Sequence, residues 1–180
     1  MLGAINLKEM QTRKKNRLEG YDYSKDGAYF ITICVKDRHE LLGSVVGAIN
    51  NRPYASVELN EYGHITDIAI KEIPVHYEGV AVDNYVIMPN HIHLILTFDT
   101  GRLIIAPTGV SVVIQRLIIA PTGVSVVIQQ LKRHISKQIG FSIWQKSFHD
   151  HIIRDEAEYQ RIWAYIDNNP ELWNEDVYHV

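Results

Sequence analysis

The stretch from residue 84 to residue 96 constrains the fold of this chain more than any other. Apolar residues lie on both sides of a Pro89-Asn90 pair, which predicts two strands joined by a tight turn. Alternate side chains of a strand point to opposite faces of a sheet, so His91 and His93 share one face. Two imidazoles side by side on a rigid strand form half of a metal site. The alternative is that they are ordinary polar residues of a half-exposed strand.

Length and composition indicate one domain covering residues 1–180. The chain is 46% hydrophobic and 22% charged, as in ordinary globular proteins. Its formal net charge is −3, so a nucleic-acid surface would have to be a local patch. The single cysteine, Cys34, excludes an intrachain disulfide and predicts a buried thiol. The chain has neither the apolar core of a signal peptide nor a membrane-spanning run, so we expect a cytoplasmic protein without a membrane partner.

The first half of the chain predicts strands around one helix. Residues 27–36 are rich in β-branched and aromatic side chains and predict a strand. Asn60 is a candidate cap for a helix that runs to about Ile73, and Pro74 is expected to stop it. Residues 80–98 then form the hairpin that carries the two histidines.

A tandem duplication follows the hairpin. The 14 residues RLIIAPTGVSVVIQ at 102–115 recur without change at 116–129. One duplication does not make a solenoid, which needs three or more units. The second copy continues into an amphipathic helix that Gly140 ends, so we expect it to supply a loop and the first turns of that helix. The first copy is expected to extend the preceding loop or hairpin.

The end of the chain predicts one more strand and one more helix. Residues 149–154 form the strand. Asp155 and Glu158 have the spacing of a capping box, so a helix should begin there and run to about Asn168. Pro170 lies just beyond its end.

Basic residues cluster in two places, near the N-terminus and on the polar face of the helix before Gly140. Such residues are often only a solvated surface. The alternative is that they contact the DNA backbone. The predicted DNA-contacting residues are Arg13, Lys14, Lys15, Arg17, Lys132, Arg133, Lys137 and Arg154.

Three segments in this order resemble the single-tyrosine HUH transposases and their REP-associated tyrosine transposase relatives. They are YVIMPNHIH at 85–93, IWQKSFHDHIIR at 143–154 and AYIDNNP at 164–170. The opening segments at 20–23 and 27–32 fit the same family. The extra copy at 102–115 departs from it.

The resemblance implies a fold and an activity. The fold is α+β, a ferredoxin-like antiparallel sheet with helices packed on one face. The activity is that of a metal-dependent transposase, which cleaves and rejoins single-stranded DNA through a 5′-phosphotyrosine intermediate. The implied partner is single-stranded DNA with hairpin ends, and two cuts suggest a homodimer or sequential action.

The resemblance also assigns roles to residues of this chain. Tyr165 becomes the nucleophile, and His91, His93 and Asn169 become the ligands of a divalent metal, Mg²⁺ or Mn²⁺. Tyr165 and Asn169 are four residues apart and share a helix face. The alternatives are a partly buried helix residue for Tyr165 and a C-terminal helix cap for Asn169.

Other interpretations stay open at this point. Tyr159 and Tyr178 are competing nucleophiles. The chain could also be a catalytically inactive DNA-hairpin-binding module derived from such a transposase. A two-histidine phosphoesterase is disfavoured, because that class needs two separate His-x-Ser/Thr motifs and this chain has one His-x-His followed by Leu94.

Overall fold

A four-stranded antiparallel sheet organises the structure, a computed structural model that describes residues 26–47, 54–99 and 123–175. The strand order is β4-β5-β1-β6. The strands of this sheet are β1 (Gly27–Cys34), β4 (Val80–Met88), β5 (His91–Phe98) and β6 (His149–Ile153). A separate hairpin pairs β2 (Gly43–Val46) with β3 (Ser56–Leu59). The helices are α1 (Glu61–Lys71), α2 (Ile73–His76), α3 (Val124–Ile139) and α4 (Glu156–Asn168).

The connectivity is that of a ferredoxin-like fold, as predicted. Apart from the β2–β3 hairpin and the short α2, the elements follow the order strand, helix, two strands, helix, strand, and α4 comes after the last strand. The central strands β5 and β1 each pair with two neighbours. Every pairing in the sheet is antiparallel, so the predicted fold class is confirmed.

The main core lies between one face of the sheet and the helices α1 and α3. Alternate residues of β1 and β5 are fully buried on this face, and α3 adds an apolar stripe at helical spacing. Each fully buried aliphatic side chain contributes about 1.5–3 kcal/mol. The core includes Tyr29, Ile31, Ile33, Ile92, Leu94, Leu96, Ala69, Ile70, Val127, Ile128, Leu131 and Ile135.

The opposite face of the sheet carries the two histidines and contacts α4. His93 is paired with Thr32 in the β1–β5 register, one residue out of phase with the core positions. Tyr165 of α4 touches His93 and Phe30 on this face. Helices therefore lie on both faces: α1 and α3 pack on one and α4 on the other, so the prediction that the helices pack on one face was wrong for α4. An amphipathic pattern shows which side of a helix is apolar but not which face of a sheet it meets.

Local capping explains where the helices begin and end. The Asn60 side chain accepts a hydrogen bond from the backbone N–H of Gly63 at 3.1 Å, and Asp155 accepts one from that of Glu158 at 2.8 Å. Gly140 closes α3 with a positive φ of 94°, a conformation that glycine adopts without steric cost. The predicted helix starts at Asn60 and Asp155 and the predicted helix end at Gly140 are confirmed.

Two predicted boundaries were wrong. The helix after Asn60 ends at Lys71, before Pro74 is reached. Pro74 instead lies in the first turn of α2, where its missing N–H costs nothing. The first strand ends at Cys34 rather than residue 36, because a 3-10 turn begins at Lys36.

The duplicated segment is described only from Gly123 onward. There the second copy begins α3 at Val124, as predicted. The first copy, 102–115, lies outside the described residues, so its placement stays a prediction. None of the described helices combines the length and the apolar composition needed to cross a membrane.

Candidate active site

Two adjacent buried imidazoles form the centre of the site. His91 and His93 are both almost completely buried, at 0% and 1% exposure, and their ring centroids are 4.5 Å apart. The pleat of β5 places both on the α4 face of the sheet. Polar side chains are rarely buried this fully unless their hydrogen bonds are satisfied or they bind a ligand.

The turn before β5 sets the orientation of His91. Asn90 donates from Nδ2 to the carbonyl oxygen of Arg38 at 3.3 Å, which turns its Oδ1 towards His91. That oxygen lies 2.8 Å from Nδ1 of His91. An amide oxygen only accepts, so Nδ1 carries the proton and Nε2 is the basic nitrogen of the neutral ring.

The neighbouring strand β1 orients His93. The Nδ1 atom of His93 lies 2.8 Å from Oγ1 of Thr32, and the Phe30 ring stacks on the imidazole with centroids 5.2 Å apart. Burial lowers the pKa of His93 well below its ordinary value, and the adjacent His91 acts in the same direction. His93 is therefore neutral at pH 7, the state in which an imidazole can bind a metal ion.

The helix α4 brings Tyr165 to the same point. Its phenolic oxygen lies 3.3 Å from Nε2 of His93, and its ring meets Phe30 edge to face at 6.0 Å. When Nδ1 of His93 donates to Thr32, Nε2 accepts a hydrogen bond from the phenol. Tyr165 is 37% exposed, so its side chain contacts the histidines and is also open to solvent.

Tyr159, one of the two competing tyrosines, is occupied elsewhere. Its hydroxyl donates to Oδ2 of Asp83 at 3.0 Å. Burial, together with the hydrogen bond and charge of Asp83, raises the pKa of Tyr159 to about 12. A phenol with a raised pKa is a poorer nucleophile at neutral pH. Tyr178, the other competitor, lies outside the described residues.

The residues after α4 close the site. Asn169 caps the C-terminus of α4 and is 0% exposed. It lies one turn beyond Tyr165 on the helix side that faces β5. Trp173 stacks on His91 with ring centroids 6.0 Å apart. The cap role predicted for Asn169 is thus present, and its side chain is buried at the same end of the site.

Comparison with known proteins finds relatives in sequence and in fold. No family model matches the sequence. An uncharacterised protein of Haemophilus influenzae is 31% identical over 180 residues, covering 93% of each chain. A second protein of that organism, named as a REP-associated tyrosine transposase, is 28% identical over 155 residues, covering 83% of this chain and 73% of its own. The solved structure of a REP-associated tyrosine transposase bound to a REP hairpin has the same fold. Its TM-score is 0.53 at 20% identity, and the match covers 82% of this chain and 68% of that one.

The chain is therefore similar in sequence to a protein named as a REP-associated tyrosine transposase and shares the fold of a solved one. The resemblance assigned Tyr165 and His93 to the site. These two residues are 72 positions apart in the sequence, yet their side chains are within hydrogen-bonding distance. His91 packs against His93, and Asn169 is buried one helical turn beyond Tyr165.

The donor atoms of this site fit a divalent metal. Both histidines hold Nδ1 against an oxygen of a neighbouring side chain, the arrangement that orients metal-binding imidazoles. Two imidazole nitrogens and an amide oxygen suit Mn²⁺, and Mg²⁺ accepts the oxygen. In the described ranges, no three side chains of the His, Cys, Asp and Glu types are grouped to hold a metal. The third candidate donor, Asn169, is an amide and falls outside those types.

The predicted DNA-contacting residues lie away from this centre or beyond the described ranges. Arg133, Lys137 and Arg154 are exposed, and α3 packs on the sheet face opposite the histidines. Lys132 is only partly exposed, and its ammonium donates to the carbonyl oxygens of residues 145, 146 and 147 at 2.5, 3.3 and 3.2 Å. Arg13, Lys14, Lys15 and Arg17 lie outside the described residues.

Four supporting residues of the site were not predicted from the sequence. Thr32, Asn90, Phe30 and Trp173 contact the histidines, but no role in the site was predicted for any of them. A correct β1–β5 register would have found Thr32, because it is the direct partner of His93. Trp173 had no such signal, since its contact depends on the chain path after α4.

Proposed function

We propose that this protein cleaves and rejoins single-stranded DNA through a covalent bond to Tyr165. The supporting observation is the 3.3 Å separation of the Tyr165 hydroxyl and Nε2 of His93, in a site where both histidines are buried and oriented. Sequence similarity to a relative named as a REP-associated tyrosine transposase supports this chemistry. We propose the strand-transfer activity, the requirement for a divalent metal and the role of Tyr165 as nucleophile together.

The proposed reaction is an exchange of phosphodiesters. The Tyr165 oxygen forms a bond to phosphorus and the bond from phosphorus to the 3′ oxygen breaks, which leaves a 5′-phosphotyrosine and a 3′-hydroxyl. The phenol loses one proton and the departing oxygen gains one. Attack by another 3′-hydroxyl reverses the step and joins new ends. One ester replaces another, so the reaction needs no nucleotide hydrolysis.

Each residue of the site has a defined task in this proposal. His91 and His93 would hold a divalent ion through Nε2, and Asn169 through its amide oxygen. Such an ion, when bound, polarises the scissile phosphate and stabilises its developing charge. Asn90 keeps His91 in the required tautomer, and Thr32 orients the His93 ring. Phe30 packs against both His93 and Tyr165 and limits the motion of their rings.

The proposed substrate is single-stranded DNA that carries a hairpin. The related structure is of a REP-associated tyrosine transposase bound to a REP hairpin, and we extend that partner to this chain. The exposed Arg133, Lys137 and Arg154 are proposed contacts to the DNA backbone. One tyrosine per chain makes one cut, so two cuts require two copies or two successive reactions.

A direct test uses oligonucleotides with the hairpins that flank the gene, labelled at the 3′ end. In Mn²⁺ or Mg²⁺ the label should move to a slowly migrating protein adduct on a denaturing gel, and chelator should prevent it. His93→Ala should bind the oligonucleotide but form no adduct. Hairpin binding without an adduct in either metal would contradict the proposal and favour a non-catalytic binding module.

A further inference from the structure

The helix that carries Tyr165 has little apolar anchorage. Within α4, which the structure describes in full, Ile166 is the one buried residue. Ile162 and Trp163 are half-buried, and Tyr165 is 37% exposed. Apolar contacts are non-directional, so a small apolar contact area does little to fix how far along the sheet the helix lies.

A bulge in β4 lies opposite this helix. The β4–β5 register shifts between Val82 and Asn84, so Asp83 is an extra residue in the strand. A bulge bends a strand and redirects its side chains, and bulges are over-represented next to active sites. Here Asp83 and Asn84 both reach α4.

Asp83 holds the N-terminal half of α4. Its Oδ2 accepts hydrogen bonds from Thr97 on β5, at 2.5 Å, and from Tyr159 on α4, at 3.0 Å. Hydrogen bonds to a charged group are about twice as strong as neutral ones. The Thr97 bond fixes the carboxylate relative to the sheet, and the Tyr159 bond ties the helix to the carboxylate.

Asn84 holds the C-terminal half of α4. Its Nδ2 donates to Oδ1 of Asp167 at 2.9 Å and lies 3.5 Å from the carbonyl oxygen of Trp163. Its position in β4 is paired with Ile95 of the central strand. The amide is therefore attached to a rigid part of the sheet.

The two attachments bracket the proposed nucleophile. Tyr159, Trp163 and Asp167 form a ridge of four-residue spacing that faces β4. The Ile162–Ile166 ridge lies next to it, and Tyr165 lies on the far side of that ridge, where it contacts His93 of β5. Tyr159 and Asp167 are eight residues apart, roughly 12 Å along the helix axis. A slip of one turn would move Tyr165 by about 5.4 Å, beyond hydrogen-bonding reach of His93.

We infer that the β4 bulge positions Tyr165, with Asp83 and Asn84 setting the register of α4 on the sheet. Both are positioning residues, because they act through the helix and not on the DNA. The inference rests on the proposed role of Tyr165 as nucleophile.

The first test measures adduct formation under single-turnover conditions. Asn84→Ala removes both bonds to α4 at a half-buried position and should lower the rate about 10- to 100-fold, because misplacement by about 1 Å costs that much. Its affinity for the oligonucleotide should stay within about threefold of wild type, since the Asn84 amide is an uncharged group bonded to α4. Asp167→Asn keeps the acceptor oxygen and should restore most of the rate lost in Asp167→Ala.

Gln160→Ala is the matched control. It breaks a side-chain bond of 2.7 Å to Glu156 that lies on the exposed side of α4 and does not reach the sheet. This variant should lose helix stability to a similar degree but keep the wild-type rate. A rate in Asn84→Ala equal to that of Gln160→Ala would overturn the inference.

A second measurement does not depend on activity. Nuclear Overhauser contacts between the rings of Tyr165 and Phe30 should be present in wild type, where the centroids are 6.0 Å apart, and should weaken in Asn84→Ala while those between Tyr29 and Phe98 in the core persist. Unchanged Tyr165–Phe30 contacts would overturn the inference even if no adduct forms. Absence of an adduct in wild type would count against the proposed function alone.

Discussion

The phenolic oxygen of Tyr165 lies 3.3 Å from Nε2 of His93, although 72 positions separate the two residues in the chain. His93 is fixed on the central strand β5, and Tyr165 comes from the last helix. The contact therefore depends on the orientation of the imidazole, on the register of α4 and on the folding of the whole sheet. Each can be perturbed separately.

Thr32→Val tests the orientation of the imidazole. Valine keeps the shape of threonine but removes the oxygen that lies 2.8 Å from Nδ1 of His93. Loss of such a supporting bond typically lowers metal affinity or activity about 10- to 100-fold. Titration of adduct formation with Mn²⁺ should show the loss, with partial recovery at high Mn²⁺.

Thr66→Val is the control for this change. Thr66 is also fully buried, but its hydroxyl donates to the Tyr62 carbonyl inside α1. It should cost a similar free energy of unfolding, about 1 kcal/mol, without a change in metal dependence. An equal metal dependence in the two variants would show that Thr32 does not act through His93.

The buried His93 should make stability depend on pH. Its folded pKa is well below 6.5, so below pH 6.5 the unfolded chain binds a proton that the folded chain does not. Stability attributable to His93 is therefore complete above pH 6.5 and is lost as the pH falls towards the folded pKa, by about 1.4 kcal/mol per unit. Denaturant unfolding of metal-free protein between pH 5 and 7.5 measures this dependence.

The comparison is between His93→Gln and His134→Gln, since His134 is exposed. In His93→Gln the free energy of unfolding should depend less on pH below 6.5. In His134→Gln it should depend on pH as steeply as in wild type. Identical slopes in wild type and His93→Gln would contradict a neutral, buried His93.

Two lysines of α3 should have different roles. Lys132→Met removes an ammonium that donates to three carbonyl oxygens of the 145–147 loop. It should cost about 1–3 kcal/mol of unfolding free energy, the usual penalty for buried groups that lose a partner. Lys137→Met, at an exposed position, should change stability by less than about 0.5 kcal/mol and weaken hairpin binding. Chemical denaturation and salt-dependent binding assays separate the two effects, and the reverse assignment would show that Lys132 is the DNA contact.

The duplication predicts tolerance of a deletion. α3 begins at Val124, inside the second copy, so one copy suffices to enter the helix. Removal of residues 102–115 should leave the melting temperature unchanged or higher and should not reduce adduct formation. A deletion variant that fails to fold would show that the first copy is an integral element.

The sequence predicted the features that depend on local pattern. The hairpin at 80–98 follows from alternation and the Pro89-Asn90 turn, and the helix caps follow from Asn60 and Asp155. The shared face of Tyr165 and Asn169 follows from their spacing. The partnership of Thr32 with His93 could not be predicted in this way, because it depends on register between distant strands.

The β4 bulge and the placement of α4 also had no sequence signal. A single extra residue at Asp83 leaves the apolar pattern of β4 nearly intact, so the bulge is not visible in that pattern. The start of α4 was correctly predicted, but the sheet face that the helix meets depends on tertiary packing. The contacts of Lys132 also depend on tertiary packing. Its basic side chain suggested a DNA contact, but its ammonium donates to backbone carbonyl oxygens.

The most direct test of Tyr165 as the nucleophile is the covalent adduct in Tyr165→Phe. Phenylalanine keeps the ring that packs on Phe30 and removes the oxygen 3.3 Å from His93. The variant should fold, bind the same hairpin oligonucleotide and form no adduct with 3′-labelled DNA. In wild type, mass spectrometry should place the 5′-phosphate linkage on Tyr165. An adduct that persists in Tyr165→Phe, or one located on Tyr159 or Tyr178, would contradict this role for Tyr165.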